Sequence, residues 1–273
     1  MTLLKIATWN INSVRLRIGL VEKFLTETGP DILCLQETKC PNDKFPTSPF
    51  KALGYEHVAY FGQKGYHGVA TVSRIPFDTE TRRDFCAKGD ARHLATTVSG
   101  NGAFAPLTVH NFYVPAGGDV PDVGANPKFA HKLDFLDEMT LCFAAGGTLA
   151  GKRQVLVGDL NVAPHENDVW SHKQLLKVVS HTPIEVEKLD GLQALGGWHD
   201  VVREHIPTDT KLFTWWSYRS RDWRLSNRGR RLDHIWASTD LKGRSKRAFV
   251  IDGPRDWDRP SDHAPVLAEF DVS

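Results

Sequence analysis

The chain has little net charge and no long apolar run, and each absence excludes a class of protein. Lys and Arg number 34 and Asp and Glu 33, so the formal net charge is only +1. This balance excludes a globally polybasic nucleic-acid binder and an acidic solvating protein, and any affinity for phosphate must come from a local patch. No stretch approaches the roughly 18 consecutive apolar residues of a membrane-spanning helix. We therefore expect no association with a membrane.

Cysteine is also scarce, and its placement excludes the common thiol motifs. The 4 cysteines show no CxxC spacing. Cys34 lies inside the apolar segment DILCLQ and is expected to pack there as a small hydrophobe. The first residues, MTLLKIATWNI, carry no apolar core and no small-residue cleavage site of a secretion signal. A cytoplasmic protein is the simplest expectation.

The length and the absence of repeats favour one folded unit. The chain has 273 residues, of which 41% are apolar, and no fixed-period repeat or low-complexity tract. α/β units of this size often fold as one domain. The Pro- and Gly-rich stretch 115–127 is too short for a convincing linker and is interpreted as a surface loop. A single catalytic domain over 1–273 is therefore predicted.

Short β-rich runs alternate with a few helices. The strand over 3–10 is followed by a helix with Ser13 as its expected N-cap and Gly29 as its stop. Further helices are predicted over 127–143 and between 171 and 195, and the apolar runs and hairpin patterns between the helices predict strands. Hairpins mixed with βα units predict an α/β fold with two mixed sheets packed face to face and helices outside.

Polar side chains recur where the predicted strands end. Converging strands of this kind place polar groups on a rigid scaffold, which catalysis requires. Carboxylate and amide oxygens with a histidine and no cysteine cluster favour Mg²⁺ or Mn²⁺ over structural zinc. The residues are Asn10, Asn12, Glu37, Tyr113, Asp159, Asn161, Asp262 and His263.

Each of these residues also has an ordinary structural interpretation when taken alone. Glu37 is compatible with a turn or a helix cap, Asp159 with an Asx-turn, and His263 with a satisfied buried histidine. Asp233 stands inside the apolar strand LDHIW, where a carboxylate needs a partner. A partnership with His263 would give an oriented imidazole. Taken together, these coincidences favour a catalytic site.

Seven segments, in chain order, resemble the exonuclease III family of abasic-site endonucleases, within the wider superfamily that includes deoxyribonuclease I. The resemblance runs from residue 5 to residue 270 and implies a four-layer α/β sandwich, Mg²⁺ dependence (with Mn²⁺ as a substitute) and phosphodiester hydrolysis. The segments are TWNINSVR, DILCLQETK, GQKGYHGVA, NFYVPAG, VGDLNVAP, RRLDHIWAS and SDHAPV.

The resemblance also implies roles for individual residues. Glu37 resembles the main metal carboxylate, supported by Asn10 and Asp262. His263 would contact the scissile phosphate, with Asp233 fixing its tautomer. The remaining implied roles are water activation by Asp159, steadying of phosphate or metal by Asn161, a hydrogen bond to phosphate or leaving group from Tyr113, and an abasic-sugar pocket at Trp215 and Leu232.

Three positions depart from the family pattern. Asn12 stands where some relatives carry an Asp near the metal, and Ala116 where Asn or Gln is frequent. Arg230 occupies a position beside the expected pocket that is apolar in better-known members. There it could insert into the duplex, clamp a phosphate or point to solvent.

An arginine-rich segment, 219–231, is the expected DNA-facing surface. It contains six arginines and one aspartate, and Trp215, Trp216 and Trp223 lie in or beside it. Arginines interleaved with aromatic side chains suit a surface that grips phosphates and meets bases or sugars, although a solvated face explains such a run equally well.

These features predict a nuclease that acts on duplex DNA with abasic sites or 3′ ends. We expect Mg²⁺-dependent incision 5′ to the abasic site, together with 3′→5′ exonuclease and 3′-trimming activity. Two alternatives remain at this point: a superfamily phosphatase acting on lipid head groups or inositol phosphates, and a non-catalytic module that binds damaged DNA. Metal-dependent turnover on an abasic oligonucleotide would separate the three.

Overall fold

The computed structural model describes residues 2–220 and 222–273. Across these residues the strands form two six-stranded sheets and one two-stranded ribbon. The first sheet has the order β13-β14-β1-β2-β4-β3. Its strands are β1 (Leu3–Asn10), β2 (Ile32–Gln36), β3 (His57–Phe61), β4 (Val69–Ser73), β13 (Ser245–Val250) and β14 (Val266–Asp271).

The second sheet has the order β5-β6-β7-β8-β12-β9. Its strands are β5 (Thr79–Arg82), β6 (His93–Val98), β7 (Leu107–Tyr113), β8 (Gln154–Asp159), β9 (Trp198–Asp200) and β12 (Asp233–Ser238). The β1–β2 and β7–β8 pairs are parallel and the other pairs antiparallel, so both sheets are mixed. The ribbon consists of β10 (Trp215–Trp216) and β11 (Gly229–Arg230).

Helices cover the outer faces of the sheets, which gives the predicted four layers. The helices are α1 (Ile18–Thr28), α2 (Thr47–Ala52), α3 (Pro127–Phe143), α4 (His172–Leu175), α5 (Pro183–Leu195), α6 (Val201–His205) and α7 (Trp223–Ser226). Helices α1 and α2 pack on the first sheet, and α3 and α5 pack on the second. None of the helices within the described ranges is long and apolar enough to cross a membrane.

The ends of helices α1 and α3 show which local sequence signals predict a helix boundary correctly. Helix α3 begins after Asn126, whose side chain accepts a hydrogen bond from the Lys128 amide, and it ends at the predicted residue. Gly29 ends α1 in a left-handed conformation, as predicted. The predicted Ser13 cap is wrong, because Ser13 has φ 89° and the helix begins only at Ile18, with no side-chain cap.

Strand alternation explains both the core and the location of the polar residues. Successive strand residues point to opposite faces, so Leu4, Ile6 and Asn10 of β1 share the face that meets the second sheet. Leu4 and Ile6 join the core cluster between the sheets, which also holds Val155 and Val157 of β8. Asp159 follows Val157 on that same face, and its Cα pairs with the Cα atoms of Asp233 and Tyr113. The inter-sheet face therefore changes from apolar to polar at one end, where the site lies.

Candidate active site

A cleft of about 560 Å³ opens at the polar end of the two sheets. Its lining includes Glu37, Asp159, Asn161, Trp215, Arg230, Leu232, Asp262 and His263. Eight of the twelve predicted site residues thus line one cavity. Of the other four, Asn10 and Asp233 are buried directly behind it, Asn12 is hydrogen-bonded to Asp262, and Tyr113 lines an adjoining cavity that shares Glu37.

A buried carboxylate orients the histidine of the cleft. His263 Nδ1 lies 2.8 Å from Asp233 Oδ2, which also accepts a hydrogen bond of 2.6 Å from the Thr214 hydroxyl. With Nδ1–H donated to Asp233, Nε2 faces Asp159, whose Oδ2 is 3.8 Å away. Burial alone would lower the pKa of His263, but the Asp233 and Asp159 carboxylates raise it to about 10. The partnership expected for Asp233 is therefore present, and the imidazole carries a proton at neutral pH.

Asn10 connects the two carboxylates on the other side of the cleft. Its Nδ2 lies 2.9 Å from both Glu37 Oε1 and Asp159 Oδ2. Burial acts to raise the pKa of Asp159, and the protonated His263 beside it acts to lower it. Burial also acts to raise the pKa of Glu37, but Lys39 and the Asn10 bond outweigh it and the pKa falls below its usual value. A buried, poorly solvated Asp159 is a stronger base than an exposed aspartate.

Two loop residues of the site hold left-handed backbone conformations, which few residues other than glycine adopt. Glu37 has φ 48° and Asn161 has φ 55°. Such conformations carry a cost of about 1–3 kcal/mol each and cluster at functional sites. The Asn161 amide N–H donates to Asp159 Oδ1 at 3.0 Å and its Nδ2 to the Val114 carbonyl at 2.9 Å. The loop after β8 is thereby fixed against the end of β7.

The Glu37 and Asp159 carboxylates supply oxygen donors that fit a hard cation, whereas the protonated His263 beside them does not bind a metal. One ligand atom each from Glu37, Asp159 and His263 lie within 4.8 Å of one another. The Lys39 ammonium lies 2.8 Å from Glu37 Oε2 and 2.6 Å from Asn12 Oδ1, so a positive charge already has two oxygen partners here. Sequence reasoning missed Lys39, although it stands only two residues after Glu37.

Asp262 and Asn10 have other partners in this structure. Asp262 accepts from Asn12 Nδ2 at 3.1 Å and from Trp215 Nε1 at 2.9 Å. Asn10 turns its Oδ1 to the Asn12 amide and its Nδ2 to the carboxylates. The neutral Asn12 side chain thus bridges Asp262 and Lys39.

The outer part of the cleft is aromatic and cationic. Trp215 is half-buried, Leu232 is buried, and Trp170 forms a further aromatic wall that sequence reasoning missed. The Arg230 guanidinium carbon lies 5.3 Å from the Trp215 ring centroid, so the side chain turns into the pocket and not to solvent. Ala116 is another of the positions that depart from the expected family pattern. Its backbone carbonyl oxygen lies 3.4 Å from the buried Lys132 ammonium.

The arginine-rich segment is divided between several environments. Arg219 and Arg228 line the cleft. Arg224 instead pairs with Asp252 and Asp256, and Arg231 is buried against Asp168 and Asp200. Arg221 lies outside the described residues. Only part of this segment therefore faces the cleft, because a run of like residues does not show which members have acidic partners elsewhere in the chain.

Tyr113 joins the cleft to the adjoining cavity. Its side chain is buried, and the Arg92 guanidinium carbon lies 4.9 Å from its ring centroid. Burial, reinforced by the Glu37 and Asp159 carboxylates, raises the pKa of Tyr113 well above its usual value. The phenol therefore keeps its proton and can donate it in a hydrogen bond to an anion.

Known proteins are similar to this chain in sequence and in fold. A profile of the Endonuclease/Exonuclease/phosphatase family matches residues 7–263. The chain is 31% identical to exodeoxyribonuclease III from Haemophilus influenzae, over 98% of this chain and 100% of that one.

Two solved structures are similar over the same extent. An AP endonuclease from Archaeoglobus fulgidus has a TM-score of 0.88 and 33% identity, covering 98% of this chain and 100% of that one. The 3′ phosphatase NExo from Neisseria, bound to a product DNA hairpin, has a TM-score of 0.88 and 34% identity, covering 98% and 99%. The residues of the cleft all fall within the matched region.

Proposed function

The chain belongs to the Endonuclease/Exonuclease/phosphatase family, and on that premise we propose that it is a DNA repair nuclease that hydrolyses the phosphodiester 5′ to abasic sites in duplex DNA. The same centre would remove nucleotides or blocking groups from 3′ ends. We propose Mg²⁺ as its cofactor, with Mn²⁺ as a substitute, and residues 1–273 as one catalytic domain. The observation that carries the proposal is the meeting of Glu37, Asp159 and His263 beside an aromatic pocket.

The donor set suits magnesium. Glu37 would hold the ion through its carboxylate oxygens, together with Asp262 of the same cleft and with Asn10 Oδ1 once it turns away from the Asn12 amide. Bound there, Mg²⁺ supplies positive charge to the phosphoryl oxygens as negative charge develops on them.

The side chains of the cleft have separate roles in the hydrolysis. Asp159 is buried and accepts hydrogen bonds from Asn10 and from the Asn161 amide, so it is held in place to take a proton from water. His263, kept protonated by Asp233, is a cationic donor to a phosphoryl oxygen, and Tyr113 is a second donor, which is neutral. Asn161 steadies the phosphate or the ion beside Asp159. Water attacks phosphorus, the bond to the 3′ oxygen breaks, and the 3′ oxygen leaves as a hydroxyl after protonation.

The pocket beside this centre supports a preference for damaged DNA. Trp215 and Leu232 provide the apolar surface for an extrahelical sugar. An abasic nucleotide has no base to unstack or unpair, so its extrusion from the duplex costs less than that of an intact nucleotide. Arg219 and Arg228 at the rim supply positive charge for the strand backbone.

The cysteines support a cytoplasmic location. All 4 are free, and Cys34 is buried, as expected from its apolar segment. Burial raises the pKa of the Cys34 thiol to about 12, so it behaves as a small hydrophobe. We infer that the protein works in a reducing compartment, where such thiols persist.

A substrate panel tests the proposal. Duplexes with one abasic analogue, with no lesion or with a 3′-terminal phosphate are incubated with the protein in Mg²⁺, beside inositol phosphates as substrates of the rival phosphatase function. We expect incision only at the lesion, slower release from 3′ ends, and no phosphate from inositol phosphates. Phosphate release confined to inositol phosphates would contradict the proposal, and binding without turnover would favour a damage-binding module.

A further inference from the structure

Arg230 lies two backbone strands away from the catalytic histidine. Trp215 pairs with Arg230 in the ribbon and forms a β-bridge with His263 on its other side. Neighbouring strands are about 4.8 Å apart, so the His263 and Arg230 backbones are separated by about 10 Å, with the Trp215 side chain between them. A group attached to a phosphate held at His263 would extend across Trp215 towards Arg230.

One guanidinium nitrogen of Arg230 is hydrogen-bonded to the protein, and the other two remain available as donors. Its Nη1 donates to the Val179 carbonyl at 2.9 Å and to Ser180 Oγ at 2.8 Å. Within 2–220 and 222–273, Nε and Nη2 have no hydrogen-bond acceptor, and no carboxylate lies within 4.0 Å of the guanidinium. The nearby Glu185 is already bonded to Lys132, Ser180 and Thr182. The guanidinium is thus a half-buried cation with unused donors and no anionic partner.

This arrangement favours an occupant with negative charge. A wholly apolar pocket would suit an uncharged sugar, whereas a partly desolvated guanidinium gains most from a carboxylate or phosphate that accepts from its free donors. The hydrogen bond from Nη1 and the contact with the Trp215 ring already fix the Arg230 guanidinium, so little side-chain entropy is lost when an anion binds.

We propose that Arg230 makes this pocket select substrates in which the group on the far side of the scissile phosphate ends in an anion. The anion is either a carboxylate, as in a 3′-phosphoglycolate end, or the next phosphate of the strand. This inference rests on the proposed nuclease function and deepens it, because it assigns a specificity to the same cleft. In each case water attacks phosphorus, the bond to the 3′ oxygen breaks, and the released phosphate keeps its anionic substituent.

Matched substrates isolate the charge. Two duplexes carry the same 3′-phosphodiester end, esterified either with a carboxymethyl group or with an uncharged 2-hydroxyethyl group. The readout is the ratio of kcat/KM for the charged end to that for the uncharged end. We expect a ratio well above one for the wild type and a fall of about tenfold or more in Arg230→Leu and in Arg230→Gln, the loss of one charge-assisted hydrogen bond.

Arg228→Leu is the control, because Arg228 also lines the cleft and its loss removes the same charge. A general loss of positive potential weakens both substrates alike and leaves the ratio unchanged. A second pair of duplexes, ending in an abasic residue with or without a 3′-phosphate, tells the two sources of the anion apart. The anion that Arg230 binds is the carboxylate or the phosphate of whichever substrate pair loses more of its kcat/KM ratio in the Arg230 variants.

Dissociation constants measured in chelator keep this inference separate from the nuclease proposal. The same preference for the charged end, lost in both Arg230 variants, is expected in binding, where no cleavage occurs. A wild-type protein that cleaves neither end contradicts the nuclease proposal. Equal affinities for charged and uncharged ends, or a preference that persists in Arg230→Leu and Arg230→Gln, overturns the assignment of Arg230.

Discussion

Two buried aspartates at the end of the second sheet have different surroundings. Asp233 is bonded to His263 and Thr214, so its carboxylate is occupied in orienting the imidazole. Asp159 is bonded to amide groups of Asn10 and Asn161, faces the cleft, and has a pKa that burial acts to raise. One carboxylate is therefore suited to positioning and the other to proton transfer, although their Cα atoms are direct cross-strand partners.

Asp159→Asn is expected to reduce turnover on abasic duplex by about 10²–10⁴-fold, because the amide cannot take a proton from water. Duplex affinity should stay close to that of the wild type, since Asp159 is assigned to water and not to DNA. Single-turnover cleavage and fluorescence anisotropy measure the two quantities. Asp137→Asn is the matched control on the exposed face of α3, where Asp137 pairs with Lys188. A variant that kept more than about a tenth of wild-type turnover would remove Asp159 from the mechanism.

At the scale of elements, a buried ion pair joins α3 and α5 to the loop that carries Asn161. The Lys132 and Glu185 side chains are both fully buried and in contact. Lys132 Nζ also donates to the Asn161 carbonyl at 2.8 Å, and both Glu185 oxygens accept from the Ser180 amide at 2.9 Å. Burial lowers the pKa of Lys132 while Glu185 acts to raise it. Asn161 and Ser180, which both line the cleft, are thus hydrogen-bonded to the same Lys132–Glu185 ion pair.

Lys132→Met should lower the free energy of unfolding by about 3–5 kcal/mol, because it leaves the Glu185 carboxylate buried without its counter-ion. In Lys132→Met/Glu185→Gln the remaining side chain is neutral and can still accept from Ser180 and Thr182, so at least half of the loss should be recovered. Urea titrations of the wild type and both variants measure this. A double variant no more stable than Lys132→Met would show that the charge balance of the pair is unimportant.

Local sequence signals were sufficient for the elements that end in strong caps or long apolar alternations. Helix α3 was predicted at its observed bounds, and the polar strand-end residues were noted because each follows or precedes an apolar run of the sequence. Strands β5 and β9 were missed because they are short edge strands, and β5 is exposed throughout. Partners distant in the chain, such as Lys132 with Glu185, leave no local pattern. The direction of the Arg230 side chain depends on Val179 and Ser180, some 50 residues away.

Across the protein as a whole, three buried histidines away from the cleft, His93, His110 and His234, are neutral, in contrast to His263. His93 and His110 lie on neighbouring strands with their rings stacked, 5.5 Å between centroids, and His234 Nε2–H donates to the Val162 carbonyl at 2.9 Å. Burial lowers the pKa of His110 to about 3 and that of His234 to about 4. The fold therefore requires these side chains to be uncharged.

The stability of the wild type should fall as pH drops below about 6.5, the ordinary pKa of histidine. Below that pH the unfolded chain binds a proton at residue 110, whereas the folded chain does not until about pH 3. Each such histidine contributes a slope of about 1.4 kcal/mol per pH unit in this range. Urea titrations from pH 7 to pH 4 should show a shallower slope for His110→Gln than for the wild type. Identical slopes would mean that His110 already binds a proton in the folded protein.

The most direct test of the proposed hydrolytic centre is the identity of the ends formed at one abasic site. A duplex with a natural abasic residue is incubated in Mg²⁺, in chelator, and in chelator followed by excess Mg²⁺, and the fragments are weighed by mass spectrometry. The arrangement of Glu37, Asp159 and His263 predicts a 3′-hydroxyl and a 5′-deoxyribose phosphate, formed only when the metal is present. Cleavage that persists in chelator and leaves a 3′-unsaturated aldehyde, the product of β-elimination, would contradict it.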